Sequence, residues 1–384
     1  MEKISKPKVI LLIETSRAYG RALLRGITKY SRLHGPWVFY SEPGGLEKVL
    51  PHLKGWGANG IIMRDSRKGE EVIKMGVPVI VSVHLKEQIS GLPFIDTDGV
   101  KIGEMAAEHL LNRGLQWFGF CGYNELHWSR VRCQNFVRKI AEAGFDTNIY
   151  KPKVSRSRWS VEKEQALMAE WLKSLPKPVG VMTSNDDRGR QLTEVCKIVG
   201  LRVPEEVAII GVDNDDLVCE LSDPPLSSVA LNVERGGYEA AELLDRLMKG
   251  EKMRNQSIIV PPTHIKIRQS TDILAIEDKD IIEAVRFINE NAKHPIRVGE
   301  VANAVALTRR TLQQRFRRSL NRTVHDEIRR TRMEQVARML AETNLSVSEI
   351  AVALGYTGVE KISRYFRREM GMTPVAYRKH HGLK

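Results

Sequence analysis

The segment Ile296–Gly371 constrains this chain most, because one helical arrangement occurs in it twice. The first copy, VGEVANAVALTRRTLQQRFRR from Val298, puts Val301, Ala302, Val305, Leu307, Leu312 and Phe316 at the spacings of packed helical stripes. The second, SVSEIAVALGYTGVEKISRYFRREMG from Ser346, opens with Ser346 and Glu349 at the spacing of a capping box. Gly355 supplies the left-handed turn that ends its first short helix. In each copy a second helix follows at once, and a helical connector over about Thr323–Thr343 joins the two. Two short helices that share an apolar seam and leave the outer face of the second free form a helix-turn-helix. An all-α domain with two such motifs, facing double-stranded DNA, is the expectation.

Charge placement supports that partner. The net charge is +13, and residues 276–384 hold 21 Lys and Arg against 13 Asp and Glu, a net of +8, while the rest carries 39 against 34, a net of +5. The excess sits on the expected reading helices and the connector, with Arg315, Arg329, Arg330 and Arg332 among its members, and no acid lies between Arg309 and Arg322. A solvated face usually mixes signs, so a polyanion fits this run better. With Leu312 and Phe316 turned inward, Arg310, Gln313, Gln314 and Arg317 face out; with Ile362 and Phe366 inward, Glu360, Lys361 and Arg364 do. Gln pairs bidentately with adenine and Arg with guanine.

Upstream, short apolar runs alternate with helix-period segments. Val38–Glu42, Gly60–Met63, Pro78–Val83, Phe94–Thr97, Trp117–Gly122, Gly180–Thr183 and Val207–Val212 read as strands, after a first run from Lys8 to Glu14. Strands buried on both faces by intervening helices make parallel α/β sheets, and some 270 residues are too many for one small sheet, so two lobes are expected. Ligands of open parallel sheets bind beyond the carboxyl ends of the strands. There the sequence places Glu14, Tyr19 and Arg21; Arg64 and Asp65; Asp96 and Asp98; Trp128 and Arg132; Asn185 and Asp186; and Asp213–Asp216. Carboxylates, amides, a guanidinium and flat rings suit a small polyhydroxylated ligand. Asp215 and Asp216 read as turn and cap residues, not as part of a metal site.

Several segments carry a family resemblance. IDTDGVKIGEMAAEHLLNRG at 95–114, SRVRCQNF at 129–136, TSNDDRGR at 183–190, VPEEVAIIGVDND at 203–215 and PPLSSVALNVERGGYEAAELL at 224–244 resemble the LacI/GalR effector domain, itself similar to periplasmic sugar-binding proteins. From Asp280 to Arg378, ending in GMTPVAYR at 371–378, the chain resembles the AraC/XylS DNA-binding domain. An effector domain placed ahead of such a reader resembles the XylR type of xylose operon regulators. The fold implied is a two-lobed, periplasmic-binding-protein-like α/β domain with parallel sheets over 1–272, a linker over 273–279 that overlaps the join Ser270–Asp278, and the two-motif all-α domain over 280–384.

The resemblance also implies roles. Asp98, Arg132, Asn185 and Asp213 fall where the family holds sugar hydroxyls, and Trp128 and Trp159 are similar to stacking aromatics; Glu14, Tyr19, Arg21 and Asp65 are further candidates. Arg310, Gln313, Gln314, Glu360, Lys361 and Arg364 fall at base-reading positions, and Arg309, Thr311, Arg318 and Arg367 at phosphate contacts. The partners implied are operator DNA, a small sugar such as D-xylose, a second copy in a homodimer, and RNA polymerase. Activation of pentose catabolism is the expectation, with repression or another sugar left open and no cofactor implied.

Other classes find less support. The chain has no GxxxxGK[ST] loop, no G-x-S-x-G elbow and no H-E-x-x-H, so an enzyme of those types is not expected. The apolar run Val9–Ile13 is broken by Glu14, and Cys121, Cys133, Cys196 and Cys219 show no ligand spacing, so a reduced, cytoplasmic, metal-free protein off the membrane is expected.

Overall fold

Along the first strand, Val9 and Leu11 point into one apolar cluster and Ile10 and Leu12 into another, so both faces of the sheet that contains them are covered. The computed structural model describes residues 6–41, 55–65, 69–84, 91–151, 160–251, 256–273, 278–320 and 322–382. In the first lobe, β1 (Lys8–Leu12), α1 (Ala18–His34), β2 (Val38–Ser41), β3 (Gly60–Arg64), α2 (Gly69–Ile73), β4 (Val79–Ser82) and β5 (Phe94–Thr97) follow one another. The second lobe takes α3 (Gly99–Leu111), β6 (Trp117–Cys121), α4 (His127–Glu142), β7 (Thr147–Ile149), α5 (Val161–Ser174), β8 (Val179–Thr183), α6 (Asp186–Ile198), β9 (Val207–Asp213), α7 (Asp216–Leu221) and β10 (Ser227–Leu231). The chain then returns to the first lobe with α8 (Val233–Met248) and β11 (Ser257–Val260), and ends in the second with β12 (Pro262–Lys266).

Two six-stranded sheets result, in the orders β11-β5-β4-β3-β1-β2 and β12-β10-β9-β8-β6-β7. Every pair is parallel, as expected, except that the edge strand β12 runs antiparallel to β10. The reason is the route: β12 enters the second lobe from the hinge, where its neighbours end, and so must run against them. The three crossings between lobes are laced by main-chain bonds, Asp98 N to Val260 O (2.9 Å) and Asn232 N to Pro261 O (3.1 Å). In the first lobe α1 and α8 touch backbone to backbone, since a Cβ on Gly26 would lie 1.9 Å from Glu234 O and one on Gly237 2.1 Å from Leu23 O.

The join expected from Ser270 starts later than that. Ser270 and Thr271 lie in a 3-10 turn (Gln269–Thr271), fully buried, with Ser270 Oγ donating to Ile209 O at 2.6 Å. Asp278 caps α9 (Lys279–Glu290), and α10 (Val298–Ala304), α11 (Arg309–Leu320), α12 (Val324–Glu342), α13 (Val347–Ala353), α14 (Val359–Met370) and α15 (Pro374–His381) follow. This domain has two cores. Leu312, Phe316, Val324 and Ile328 belong to one with α9 and α10, and Met333, Val336, Leu340, Ile362 and Phe366 to the other. The helix α12 runs through both, its 19 residues spanning about 28 Å at 1.5 Å per residue.

Candidate functional site

Between the lobes lies a cavity of about 440 Å³ lined from the carboxyl ends of β1, β3, β4, β5, β6, β8 and β9. That size suits a small ligand. Arg132, from α4, lines it and is 3 % exposed. Its guanidinium donates to Ser184 O (2.5 Å) and Thr97 Oγ1 (3.3 Å), lies 3.6 Å from an Asp213 carboxylate oxygen, and sits 4.9 Å from the centroid of the Trp128 ring. Arg132 Nε and Trp128 Nε1 are buried with no hydrogen-bond partner among the described residues, an expensive state that a polar ligand relieves. Trp128 stacks against His84 with centroids 6.0 Å apart, and burial lowers that imidazole to about 4, so it is neutral at physiological pH.

Ion pairs shape the remaining wall. Arg64 pairs with Glu14, and Arg17 from the first lobe reaches Asp187 of the second at 2.6 Å. Ala18 N and Arg21 both bind Asp215, at 2.7 and 3.2 Å, which ties the lobes together behind the cavity. Burial raises Asp96, and it pushes Asp213 up to about 6 against the lowering by Arg132. Asp213 also holds φ of 103°, a conformation rarely adopted by a side-chain-bearing residue.

The structure brings Glu14, Tyr19, Trp128, Arg132, Asn185 and Asp213 to this wall. Three other candidates do not line it. Asp98 is the N-cap of α3, accepting from Lys101 N at 3.0 Å, and it is Asp96 that lines the cavity. Arg21 is spent on Asp215 and on Thr15 O and Ser16 O. Asp65 is buried at the end of β3, where its N donates to Ser82 O. Trp159 lies outside the described residues. Ser82, His84, Asp187, Arg190 and Gln191 also line the wall and were not singled out. Position at a strand end could have flagged Ser82 and His84; the others are on α6, whose orientation no local signal reveals.

In the helical domain, Arg309, Arg310, Gln313, Gln314, Arg317 and Arg318 are exposed on α11 while Leu312 and Phe316 are fully buried. On α14, Glu360, Lys361, Arg364, Arg367 and Arg368 are exposed while Ile362 and Phe366 are fully buried. Thr311 is half-buried, with its hydroxyl 2.8 Å from that of Thr308 at the start of α11. Capping boxes start α12 at Thr323 and α13 at Ser346, and Gly355 has φ of 67°. The connector arginines, and Arg315 on α11, are a correction to the polyanion reading. Arg329 binds Glu369 and Asp326, Arg330 binds Glu327 and Glu334, and Arg315 is held by Asp278 and Asp280. Arg332 is buried, donating to Leu354 O at 2.6 Å and to His294 O, and so staples the two cores together.

These two sites define a transcription regulator in which a hinged sensor domain precedes a DNA-binding domain. Residues 107–271 match the periplasmic binding protein-like domain, and residues 301–380 match a helix-turn-helix domain. The chain belongs to the family of xylose operon regulatory proteins, which are regulators of transcription and not enzymes. It is 31% identical to the one from Haemophilus influenzae over 97% of this chain and 98% of that one, and 30% identical to the one from Escherichia coli over 97% and 96%. The solved structure of a xylose-binding transcription activator is similar over 99% of this chain and all of that one, with a TM-score of 0.63 and 28% identity. A LacI family regulator from Enterococcus faecium, solved with bound ribose, is similar over 69% of this chain, with a TM-score of 0.56 and 25% identity. Among the described residues no helix is long and apolar enough to cross a membrane.

Proposed function

We propose that this protein binds D-xylose in the interlobe cavity and, so loaded, binds promoter DNA and activates pentose catabolic genes in the cytoplasm. One observation carries the ligand class: the lining arginines Arg17, Arg64, Arg132 and Arg190 face an equal number of lining carboxylates, Glu14, Asp96, Asp187 and Asp213, with Arg17 on Asp187, Arg64 on Glu14 and Arg132 beside Asp213, while buried donors on Trp128 and Arg132 remain open. A phosphorylated or acidic sugar would put unmatched charge into this balanced wall, whereas an uncharged polyol fills the open hydrogen bonds. Arg132, Asp213, Asp96 and Asn185 hold the hydroxyls, and Trp128 covers the apolar face of the ring.

On DNA, Arg310, Gln313 and Gln314 of α11 and Glu360, Lys361 and Arg364 of α14 read base edges, with Arg309, Thr311, Arg318 and Arg367 on phosphates. The length of α12 supports this reading, since about 28 Å between its ends suits two helices entering the major groove about one turn, 34 Å, apart. The protein acts as a homodimer, as LacI-type effector domains do, and contacts RNA polymerase from its promoter site. Ribose is the second reading, favoured by the ribose-bound relative. Thermal unfolding in the presence of pentoses and hexoses tests both. D-xylose should raise the melting temperature and tighten specific promoter binding; stabilisation by ribose alone replaces the sugar, and stabilisation by none removes the reading.

A further inference from the structure

The sensor and the reader meet at the two ends of α12. At its start, Arg322 Nη1 donates to Asn112 Oδ1 (2.8 Å) and Nη2 to Asn112 O (3.1 Å), at the C-cap of α3. At its other end, Glu342 lies 3.0 Å from His264 Nε2, and the Tyr377 hydroxyl donates to Thr263 O, both on β12. The elements that seat the reader, α3 and β12, are each the first to leave the hinge, after the crossings at Thr97–Gly99 and Val260–Pro262.

We propose that α3 is the strut that carries sugar occupancy to the reader, with Arg322 as the positioning residue at its far end. This rests on the sugar-sensing reading above. The near end is at the cavity, where Thr97 accepts from Arg132. Arg132 belongs to α4, and α4 lies against α3 so closely that a Cβ on Gly103 would be 2.7 Å from Arg132 O and 2.8 Å from Phe136 N. Two helices in backbone contact shift together, because close-packed interfaces do not deform smoothly. Thirteen residues carry that shift about 20 Å along α3. The last turn fastens both neighbours: Arg113 Nε donates to Thr271 O (2.8 Å), His109 Nε2 lies 2.9 Å from Thr271 Oγ1, and Asn112 takes the fork of Arg322. From there the link is electrostatic. Arg322 Nε is 2.5 Å from Glu327, which is fully buried on α12 and 2.7 Å from Arg330. A displacement of Asn112 therefore tilts the helix on which both reading helices are mounted.

The test uses the full chain, D-xylose and promoter DNA, and measures each ligand's Kd with and without the other. In the wild type, sugar and DNA should tighten each other by one common factor, about 5- to 150-fold. Arg322→Ala should bring both factors to near one while leaving the Kd of each ligand alone unchanged. Arg322→Lys, which keeps the charge beside Glu327 but not the fork on Asn112, should restore the coupling only in part. An Arg322→Ala protein with wild-type coupling overturns the proposal. If that variant does not fold, Asn112→Ala decides: a reduced factor supports the strut and an unchanged one overturns it. A wild type in which D-xylose binds without affecting DNA, or does not bind, overturns the functional reading itself.

Discussion

Asp213 combines a left-handed backbone, a half-buried carboxyl and a guanidinium neighbour, and strain of this kind persists where the surroundings hold it. Its carboxyl is raised from 3.8 to about 6, so the folded chain holds a proton there that the unfolded chain has released. Between those values the folded state binds more protons, so without sugar this group's contribution to stability rises as pH falls from 7 toward 4. A sugar hydroxyl donates to the ionised form, so sugar affinity should be full above pH 7 and decline as pH drops through about 6. His84, at about 4, stays neutral across that window. Calorimetry at about pH 7.5 and about pH 5.5 should show the decline in the wild type and lose it in Asp213→Asn, itself roughly 10- to 100-fold weaker; equal affinities at the two pH values would rule this out. The sequence located Arg132 and Asp213 through their segments. The resemblance chose Asp98 where Asp96 lines the cavity, because two carboxylates on one strand end differ only in whether a helix starts there to be capped.

At the scale of elements, the helix-turn-helix pairs were the most legible part of the chain. A seven-residue helix such as α13 depends on its cap, and Ser346 Oγ accepts from Glu349 N at 3.1 Å while the Glu349 carboxylate accepts from Ser346 N. Ser346→Ala should cost about 1 kcal/mol in denaturant unfolding and weaken the half-site read by α14 more than that read by α11. Equal loss at both half-sites would show that the two cores are not separable. The strands β7, β10, β11 and β12 escaped the reading because they are only three to five residues long and their pairing partners are distant in sequence. The role of α12 was half legible. Its length follows from its capping box and its periodicity, but its arginines read as a polyanion face until their carboxylate partners on α12 and α14 came into view.

For the whole molecule, charge and sequence reading separate. Arg318→Ala should lower the slope of log K against log salt by about 1 and leave base preference intact, whereas Arg310→Ala should cost about 1–3 kcal/mol at one base pair and relax the preference there. Fluorescence anisotropy over a salt series and an operator library distinguishes the two; a changed preference in Arg318→Ala would reverse their roles. The sequence alone determined the order of the domains, the α/β and all-α classes, the two reading helices and the kind of ligand and partner, because periodicity, capping spacing and charge are local properties of a chain. Only the tertiary structure decided which strand-end groups share the cavity, which arginines are spent on carboxylates, and where the reader is seated. Those outcomes depend on contacts between residues far apart in the chain, such as Arg322 with Asn112 and Arg17 with Asp187, and no local pattern encodes which distant partner a side chain meets.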